Sequence, residues 1–279
     1  MRVHDPELSL VYDPRGCDVI QCDARYAAIK VSDRWRLLDV VLGVSQSVES
    51  FAKSQPEIAA SLSHLMEGID DKHILKAVFM AGAGGSGKTS LATAAFGGEG
   101  FKVINTDAHF EKILTAEKIP LSQFGSNEIL FQKAARLRDK EQDQYSGRRL
   151  GLLIDATGKN KTRMAFAVSD LEELGYDCYM IYVSTSLESS LLRNEKRGKE
   201  GGRKVPDAEV KRAWNQVNEN FGAFKAMFGD RFYEVDNDSE LSKEEFDKTM
   251  VPMLRKIGNK IISRPVSNPI GLAWMQAQK

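Results

Sequence analysis

Gly82-Ala83-Gly84-Gly85-Ser86-Gly87-Lys88-Thr89 follows Ala77-Val78-Phe79-Met80-Ala81 and runs into Ser90-Leu91-Ala92. The octapeptide satisfies G-x-x-x-x-G-K-[ST], and it stands where that pattern has physical meaning, between a short apolar run and a helical one. A chance match would arise in about one chain of this length in a hundred, before its context is counted. Glycines at these positions let successive backbone amides wrap a phosphate chain, and the N-terminus of the following helix adds positive potential. Lys88 is placed to reach terminal phosphates and Thr89 to bind Mg²⁺, with Gly82, Gly84, Gly85, Ser86, Gly87 and Ser90 completing the cradle.

Outward from this loop the chain alternates. Residues 77–81, 102–105, 150–155, 178–183 and 232–235 read as strands, and helical patterns occupy 88–96, 127–145, 162–174, 187–197 and 208–228. Such alternation predicts right-handed crossovers and an α/β fold: a doubly wound parallel sheet of five strands, with ligands at the carboxyl ends of the strands. After Ser242 a last helix is expected, then a Pro-containing tail over 265–279. Residues 1–72 read as a small, mostly helical N-terminal appendage. Short strands are expected at 19–20 and 27–31. Leu38, Val41, Leu42, Val44, Val48 and Phe51 recur at helix-like intervals, and Pro56 opens a second helix with Ile58, Leu62, Leu65 and Met66 on one face. Gly68-Ile69-Asp70-Asp71 marks the boundary, giving a division into 1–72, 73–264 and 265–279. No catalytic constellation is visible before that boundary.

Composition excludes several classes. The 39 Lys and Arg balance 39 Asp and Glu over 279 residues, so the chain is neither a basic nucleic-acid coat nor an acidic tail protein. At 42% hydrophobic and 28% charged it can bury a sizeable core, which excludes disorder over the whole chain. Cys17, Cys22 and Cys178 are too few and scattered for a disulfide framework, and a reducing cytoplasm is expected. No run approaches the roughly 18 to 20 apolar residues that span a bilayer, so no membrane partner is expected. His4, His64, His73 and His109 lack metal-ligand spacing and read as structural or solvated.

A phosphate loop does not say where the phosphate goes. A GTP switch needs Asn-Lys-x-Asp to read guanine, and the nearest string, Asn160-Lys161-Thr162-Arg163, has Arg in place of the carboxylate. A motor ATPase usually ends its Walker B strand in paired carboxylates, whereas Leu152-Leu153-Ile154-Asp155 ends in one. A kinase needs a carboxylate near the loop to accept the proton of an attacking hydroxyl, and Val103-Ile104-Asn105-Thr106-Asp107 supplies Asp107. Asp107 also suits the N-cap of a helix over 108–114, and the two roles are compatible. Asp155 closes the third strand, where it can hold Mg²⁺ or orient the acceptor with Thr157 and Arg163; an ordinary strand-to-helix turn is the alternative. Arg193 and Arg197 share one helix face and lead through a Gly-rich link to Arg203-Lys204-Val205-Pro206. These read as a cationic lid over a triphosphate, against the alternative of a solvated charge run with Glu195 and Glu200.

In that order these motifs, over about 74–238, resemble the zeta-toxin and polynucleotide-kinase branch of the P-loop kinases, and are similar to phage-encoded zeta-toxin-like proteins. The resemblance implies ATP with Mg²⁺ as donor, a hydroxyl as acceptor, Asp107 as base, and arginines at 193, 197 or 203 as transition-state clamps. Polynucleotide kinases carry an arginine three residues after the catalytic aspartate, where this chain has Phe110. Asp236-Asn237-Asp238 has the spacing of a phosphatase nucleophile motif, but too little chain follows for that domain, and the loop reads as a wall for adenine. The implied acceptor is a small hydroxyl-bearing metabolite or nucleotide sugar, or a 5′-hydroxyl or modified base of nucleic acid. From another class, an ATP-gated binding module would hold a protein partner through residues 1–72. Trp214, Phe221 and Phe224 recur at helical spacing and read as core.

Overall fold

The computed structural model describes residues 2–5, 10–12, 19–21, 26–31, 34–39, 44–47, 71–121 and 127–278. The chain divides into two compact units, Met1–Asp71 and Lys72–Lys279.

Among the described residues of the first unit the structure is strand, not helix. Strands β1 (Val3–Asp5), β2 (Leu10–Tyr12), β3 (Val19–Gln21), β4 (Tyr26–Val31), β5 (Arg34–Asp39) and β6 (Val44–Ser47) form one sheet in the order β2-β1-β6-β5-β4-β3. Its pairs are antiparallel except β1 with β6. This corrects the helix expected over 35–51, as far as those residues are described. Of the apolar residues that suggested it, Leu38 and Val44 belong to two antiparallel strands, with Asp39 opposite Val44 and Leu38 opposite Ser45, so their six-residue spacing reflects strand pairing rather than one helical face. Arg36 and Leu38 alternate on a single face and both are buried, with Ile29 opposite Arg36 also buried. The helix expected to start at Pro56 lies outside the described residues.

The second unit carries the five-stranded parallel sheet: β7 (Lys76–Gly82), β8 (Lys102–Ile104), β9 (Leu152–Asp155), β10 (Asp177–Ser184) and β11 (Phe232–Asp236). The order is β11-β10-β7-β9-β8, with every pair parallel. The chain leaves β7 towards β8 and β9, then crosses to β10 and β11 on the other side, so the carboxyl end of β7 sits at the topological switch point.

Side-chain alternation divides the core in two. Ala77, Phe79, Ala81, Leu152, Ile154, Met180 and Tyr182 face one layer of helices, while Val78, Met80, Leu153, Tyr179, Ile181 and Val183 face the other. Strands buried on both faces explain why β7 and β10 read as nearly unbroken apolar runs. The helices are α1 (Lys88–Phe96), α2 (Thr106–Ala116), α3 (Glu128–Gly147), α4 (Lys161–Glu173), α5 (Leu187–Lys199), α6 (Asp207–Glu219), α7 (Phe221–Phe228), α8 (Val251–Ser263) and α9 (Pro269–Ala277). A short helical lead-in, Lys243–Glu245 with a π turn over Phe246–Met250, precedes α8.

Three expectations change in detail. The helix read as continuous over 208–228 breaks at Asn220, whose amide donates to the carbonyls of Gly158 and Lys159 and so ties the break to the loop after β9. Phe224 is fully buried and Phe221 packs on the same cluster, while the Trp214 indole donates to the Thr185 carbonyl at 2.8 Å. The stretch read as a tail is helix α9. Asn268 caps it, Pro269 needs no amide partner in its first turn, and Val266, Trp274 and Met275 pack on the core. Gly271 lies so close to Gly175 that a Cβ there would collide with the Gly175 carbonyl. His109, read as structural or solvated, pairs with Glu141 at 2.8 Å.

The same segment is anchored at the opposite end of the sheet from the loop. The Asp177 side chain is wholly buried and accepts from Arg231 at 2.9 Å, from the Ser267 amide at 2.8 Å and from the Ser267 hydroxyl at 3.0 Å. Removing one member of a buried, hydrogen-bonded ion pair leaves the other uncompensated. Asp177→Ala should therefore lower unfolding free energy by about 3 to 5 kcal/mol in urea denaturation. An unchanged midpoint would show that the network does not hold α9.

Candidate active site

The carboxyl edge of the sheet gathers charge. Lys88, the first residue of α1, donates from Nζ to the carbonyls of Gly82 at 2.9 Å and Ala83 at 3.1 Å, so its ammonium lies folded over its own loop. Burial lowers its pKa, the carboxylates of Asp155 and Asp107 oppose that shift, and Arg203 and Arg197 add to it. Five charged groups from four segments thus lie within one another's fields. The loop's tight turn needs glycine at 85, where φ is +84° and a Cβ would stand 2.6 Å from the Ser190 carbonyl. The Ser86 hydroxyl is fully buried and has no hydrogen-bond partner among the described residues. An orphaned donor beside an ammonium held only by carbonyls fits a phosphate chain in this cradle.

Thr89 and Ser90 are exposed at the start of α1. Thr89, Asp155, Lys88 and Asn105 all line one cavity. Among the described residues no group of three His, Cys, Asp or Glu side chains converges. A hydroxyl and one carboxylate suit Mg²⁺, which keeps several waters and shares phosphate oxygens, better than a cation that needs a full protein cage. Burial raises the pKa of Asp155, Lys88 opposes the rise, Asp107 adds to it and Arg203 counters it.

Asp107 is not the N-cap of its helix. Asn105 is: its Oδ1 accepts from the amides of Asp107 at 2.8 Å and Ala108 at 3.2 Å, and α2 begins at Thr106. The same side chain donates from Nδ2 to Asp155 Oδ2 at 2.9 Å, so one asparagine fixes the ends of β8 and β9 together. With the cap supplied elsewhere, the Asp107 carboxylate is free for an ion pair, 2.5 Å from Arg203 Nη1. Phe110, three residues on, points away from this cluster. It is fully buried with Ile113, Leu114 and Ala134 and meets the Phe131 ring edge-on at 5.4 Å.

The segment from α5 to α6 is sided, not a solvated run. Arg193 reaches the Gly85 carbonyl at 3.5 Å and the Ser239 carbonyl at 3.2 Å, directly over the phosphate loop. Arg197 lies in the fields of Arg203, Glu111 and Asp107, and its burial lowers its pKa. Glu195 pairs outward with Lys199 at 2.8 Å, and Glu200 is exposed. Asn194 fastens the return strand of this lid: it accepts from the Val205 amide at 3.0 Å and donates to the Val205 carbonyl at 2.7 Å.

Two expected residues are not brought to the cluster. Arg163 is exposed in the first turn of α4, and its backbone amide, not its guanidinium, is used by the Asn160 cap. Thr157 is exposed, and its carbonyl accepts from the Gly82 amide at 3.3 Å, which straps the loop after β9 to the phosphate loop. Asn160 itself is the N-cap of α4, its side-chain oxygen accepting from the Arg163 amide at 2.9 Å.

The loop 236–238, expected as a wall for adenine, meets the phosphate loop and the start of α5 through bonds the sequence did not announce. Asn237, after β11, donates to the Ser86 carbonyl at 2.8 Å. Asp238 accepts from the Ser186 amide at 2.7 Å and the Thr185 hydroxyl at 3.3 Å. The Ser186 and Ser189 bonds hold the Asp238 carboxyl down at about 2. Only Asn105 carried a readable signal, since Asn before Thr-Asp at a strand end is a preferred cap.

A parallel five-stranded sheet with a glycine-rich phosphate loop at its switch point, faced by two carboxylates and three arginines, defines a kinase-like phosphotransferase of the P-loop class. The family model described as Zeta toxin matches residues 67–243, and the chain belongs to that family. No curated protein matches the chain. Among solved structures it is similar to the PezAT chromosomal toxin-antitoxin system of the human pathogen Streptococcus pneumoniae, at 17% identity over 75% of this chain and 96% of that chain, with a TM-score of 0.50. It is also similar to AvrRxo1-ORF1:AvrRxo1-ORF2 with sulphate ions, at 15% identity over 82% of this chain and 88% of that one, with a TM-score of 0.51. A match to the Pnkp1/Rnl/Hen1 RNA repair complex has 20% identity and a TM-score of 0.45; it covers 55% of this chain and spans under half, 47%, of that chain. These likenesses bear on fold alone.

Loss of the Asn194 amide would leave the Val205 amide and carbonyl without partners and loosen the lid. A buried polar group left unpaired costs about 1 to 3 kcal/mol, which raises the open population roughly five- to a hundredfold. Asn194→Ala should accelerate limited trypsin cleavage at Lys199, Arg203 and Lys204 by at least about fivefold. Equal cleavage rates would show that Asn194 does not fasten the lid.

Proposed function

We propose that the protein is an ATP-dependent kinase that passes the γ-phosphoryl group to a hydroxyl of a small metabolite or nucleotide sugar. The observation that carries this reading is the Asp107 carboxylate, uncommitted to capping, paired with Arg203 and in the fields of Lys88 and Asp155 at the mouth of the phosphate loop. In phosphoryl transfer a protein chiefly positions groups and stabilises charge. The backbone amides of 82–89 and Lys88 hold the β- and γ-phosphates. Asp107 accepts the proton as the acceptor oxygen bonds to the γ-phosphorus and the bond to the ADP oxygen breaks. Arg193, Arg197 and Arg203 neutralise charge on the transferring group. Thr89 and Asp155 would hold Mg²⁺, whose contribution when bound is to neutralise phosphate charge.

Nucleic acid is the weaker acceptor reading. Phe110 stands in the apolar cluster between α2 and α3, where polynucleotide kinases present an arginine. A binding module without turnover is also the weaker reading, because it has no need of a carboxylate held by an arginine at the phosphate mouth.

The test is incubation with γ-labelled ATP and Mg²⁺ against a panel of small alcohols and nucleotide sugars, and separately against 5′-hydroxyl and hydroxymethylated oligonucleotides. Label should move to the small-molecule pool, Lys88→Ala should abolish transfer, and Asp107→Asn should lower its rate by about 10² to 10⁴ while ATP binding persists. Full activity in Asp107→Asn would remove Asp107 as base. Label in the oligonucleotides alone would reassign the acceptor class.

A further inference from the structure

A cavity of about 230 Å³ runs beside α1 on the β8 edge of the sheet. One stripe of α1, Lys88, Ala92 and Phe96 at intervals of four with Thr89 and Thr93 alongside, forms its length, about 12 Å at 1.5 Å per residue. Opposite stand Leu153 and Val103, and Phe101 closes the far end. The near end is polar, formed by Lys88, Thr89, Asn105 and Asp155, the groups assigned above to phosphate, metal and strand-end positioning. The cavity is therefore graded from charge at the catalytic mouth to hydrocarbon in its depth.

Two further observations mark it as a place for a ligand. Val103 is a β-branched apolar residue on an edge strand, and it stands 55% exposed, where edges more often carry charge. Its register partner Leu153 is buried at 4%, so the sheet surface passes from covered to open across this one pair. A cavity of 150 Å³ lined by aliphatic and aromatic groups admits benzene, and water gains few partners in such surroundings. The larger space here admits a ring or a branched hydrocarbon chain of about ten heavy atoms or fewer.

We infer that this cavity receives the apolar part of the phosphoryl acceptor, which is thus an alcohol carrying an aromatic or branched hydrocarbon group close to the reacting hydroxyl. The inference rests on the kinase reading and narrows it. Asp107 is not among the lining residues, but Asn105, which is, accepts from the Asp107 amide and holds Asp155 Oδ2, so an acceptor with its hydrocarbon against Ala92, Phe101 and Val103 would present its hydroxyl on the Asn105 side, towards Asp107.

The test uses the full chain and begins without ATP. Binding of benzyl alcohol, 2-phenylethanol, cyclohexylmethanol and glycerol is followed by ligand-observed NMR in the wild type, in Val103→Trp and in Ala92→Leu, with ATP binding measured in parallel. Val103→Trp fills the cavity from a half-exposed position, so it reports even where Ala92→Leu perturbs α1. The ring alcohols should bind with a Kd of about a millimolar or tighter, glycerol should not, and Val103→Trp should weaken the ring alcohols at least about tenfold. Equal binding of glycerol, absence of ring-alcohol binding, or affinities unchanged in both variants would overturn the inference. With γ-labelled ATP added, a bound ring alcohol should take label or compete with an acceptor that does; the absence of both would overturn its assignment as acceptor. Failure of the wild type to bind ATP sinks the kinase reading by itself, and efficient transfer to a polar acceptor untouched by Val103→Trp sinks only this inference.

Discussion

Five parallel strands end on one edge, and everything the site contains follows from that alignment. Parallel pairing of β7 with β9 and β10, and of β8 with β9, brings the segments that follow each strand to the same side of the sheet. The phosphate loop follows the central strand, Asp107 lies just beyond the edge strand, and Asp155 ends the strand between them. The lid after β10 then adds Arg193, Arg197 and Arg203. Three arginines and a lysine against two aspartates leave an excess of positive charge, which is the balance a polyphosphate with its metal ion requires. Lys88 Nζ donates to the Gly82 and Ala83 carbonyls, and Arg203 pairs with Asp107.

Much of this was legible in the chain. The octapeptide 82–89 with its flanking strand and helix identified the centre of the sheet, and the five apolar runs identified its strands, because parallel strands buried on both faces cannot hide their composition. The position of Asp107 and Asp155 at the carboxyl edge was legible because strand ends in such a sheet have one destination. In the first unit only the strands expected at 19–20 and 27–31 were legible, as β3 and β4, and the rest was not. Its strands are three to six residues long, and short apolar clusters on adjacent antiparallel strands imitate helical spacing when the turn between them is overlooked. Pro265 and Pro269 read as the start of a tail, whereas Pro269 opens a docked helix.

What stayed hidden is carried by asparagine. Asn105 joins two strand ends, Asn194 clasps the lid at Val205, Asn220 ties a helix break to 158–159, and Asn237 holds the phosphate loop at Ser86. Each amide both donates and accepts or donates across a distance in sequence of 11 to 151 residues, and no local pattern announces such a partner. These bonds hold loops, which have few neighbours of their own, on a rigid sheet. The N-cap at Asn105 is the instructive case: assigning the cap to Asn105 releases Asp107 for chemistry, so a two-residue shift in a helix boundary alters the reading of the site.

The zeta-toxin family, the α/β fold and the charge cluster converge on phosphoryl transfer, and the central claim is that the loop and its facing charges are built for a nucleotide triphosphate. A crystal structure with ATP and Mg²⁺ bound tests it most directly. The account predicts that Lys88 Nζ leaves the Gly82 and Ala83 carbonyls for phosphate oxygens, with at least one of Arg193, Arg197 and Arg203 turned onto the γ-phosphate. Nucleotide bound elsewhere, or Lys88 still folded on its own loop with ATP in place, would contradict it.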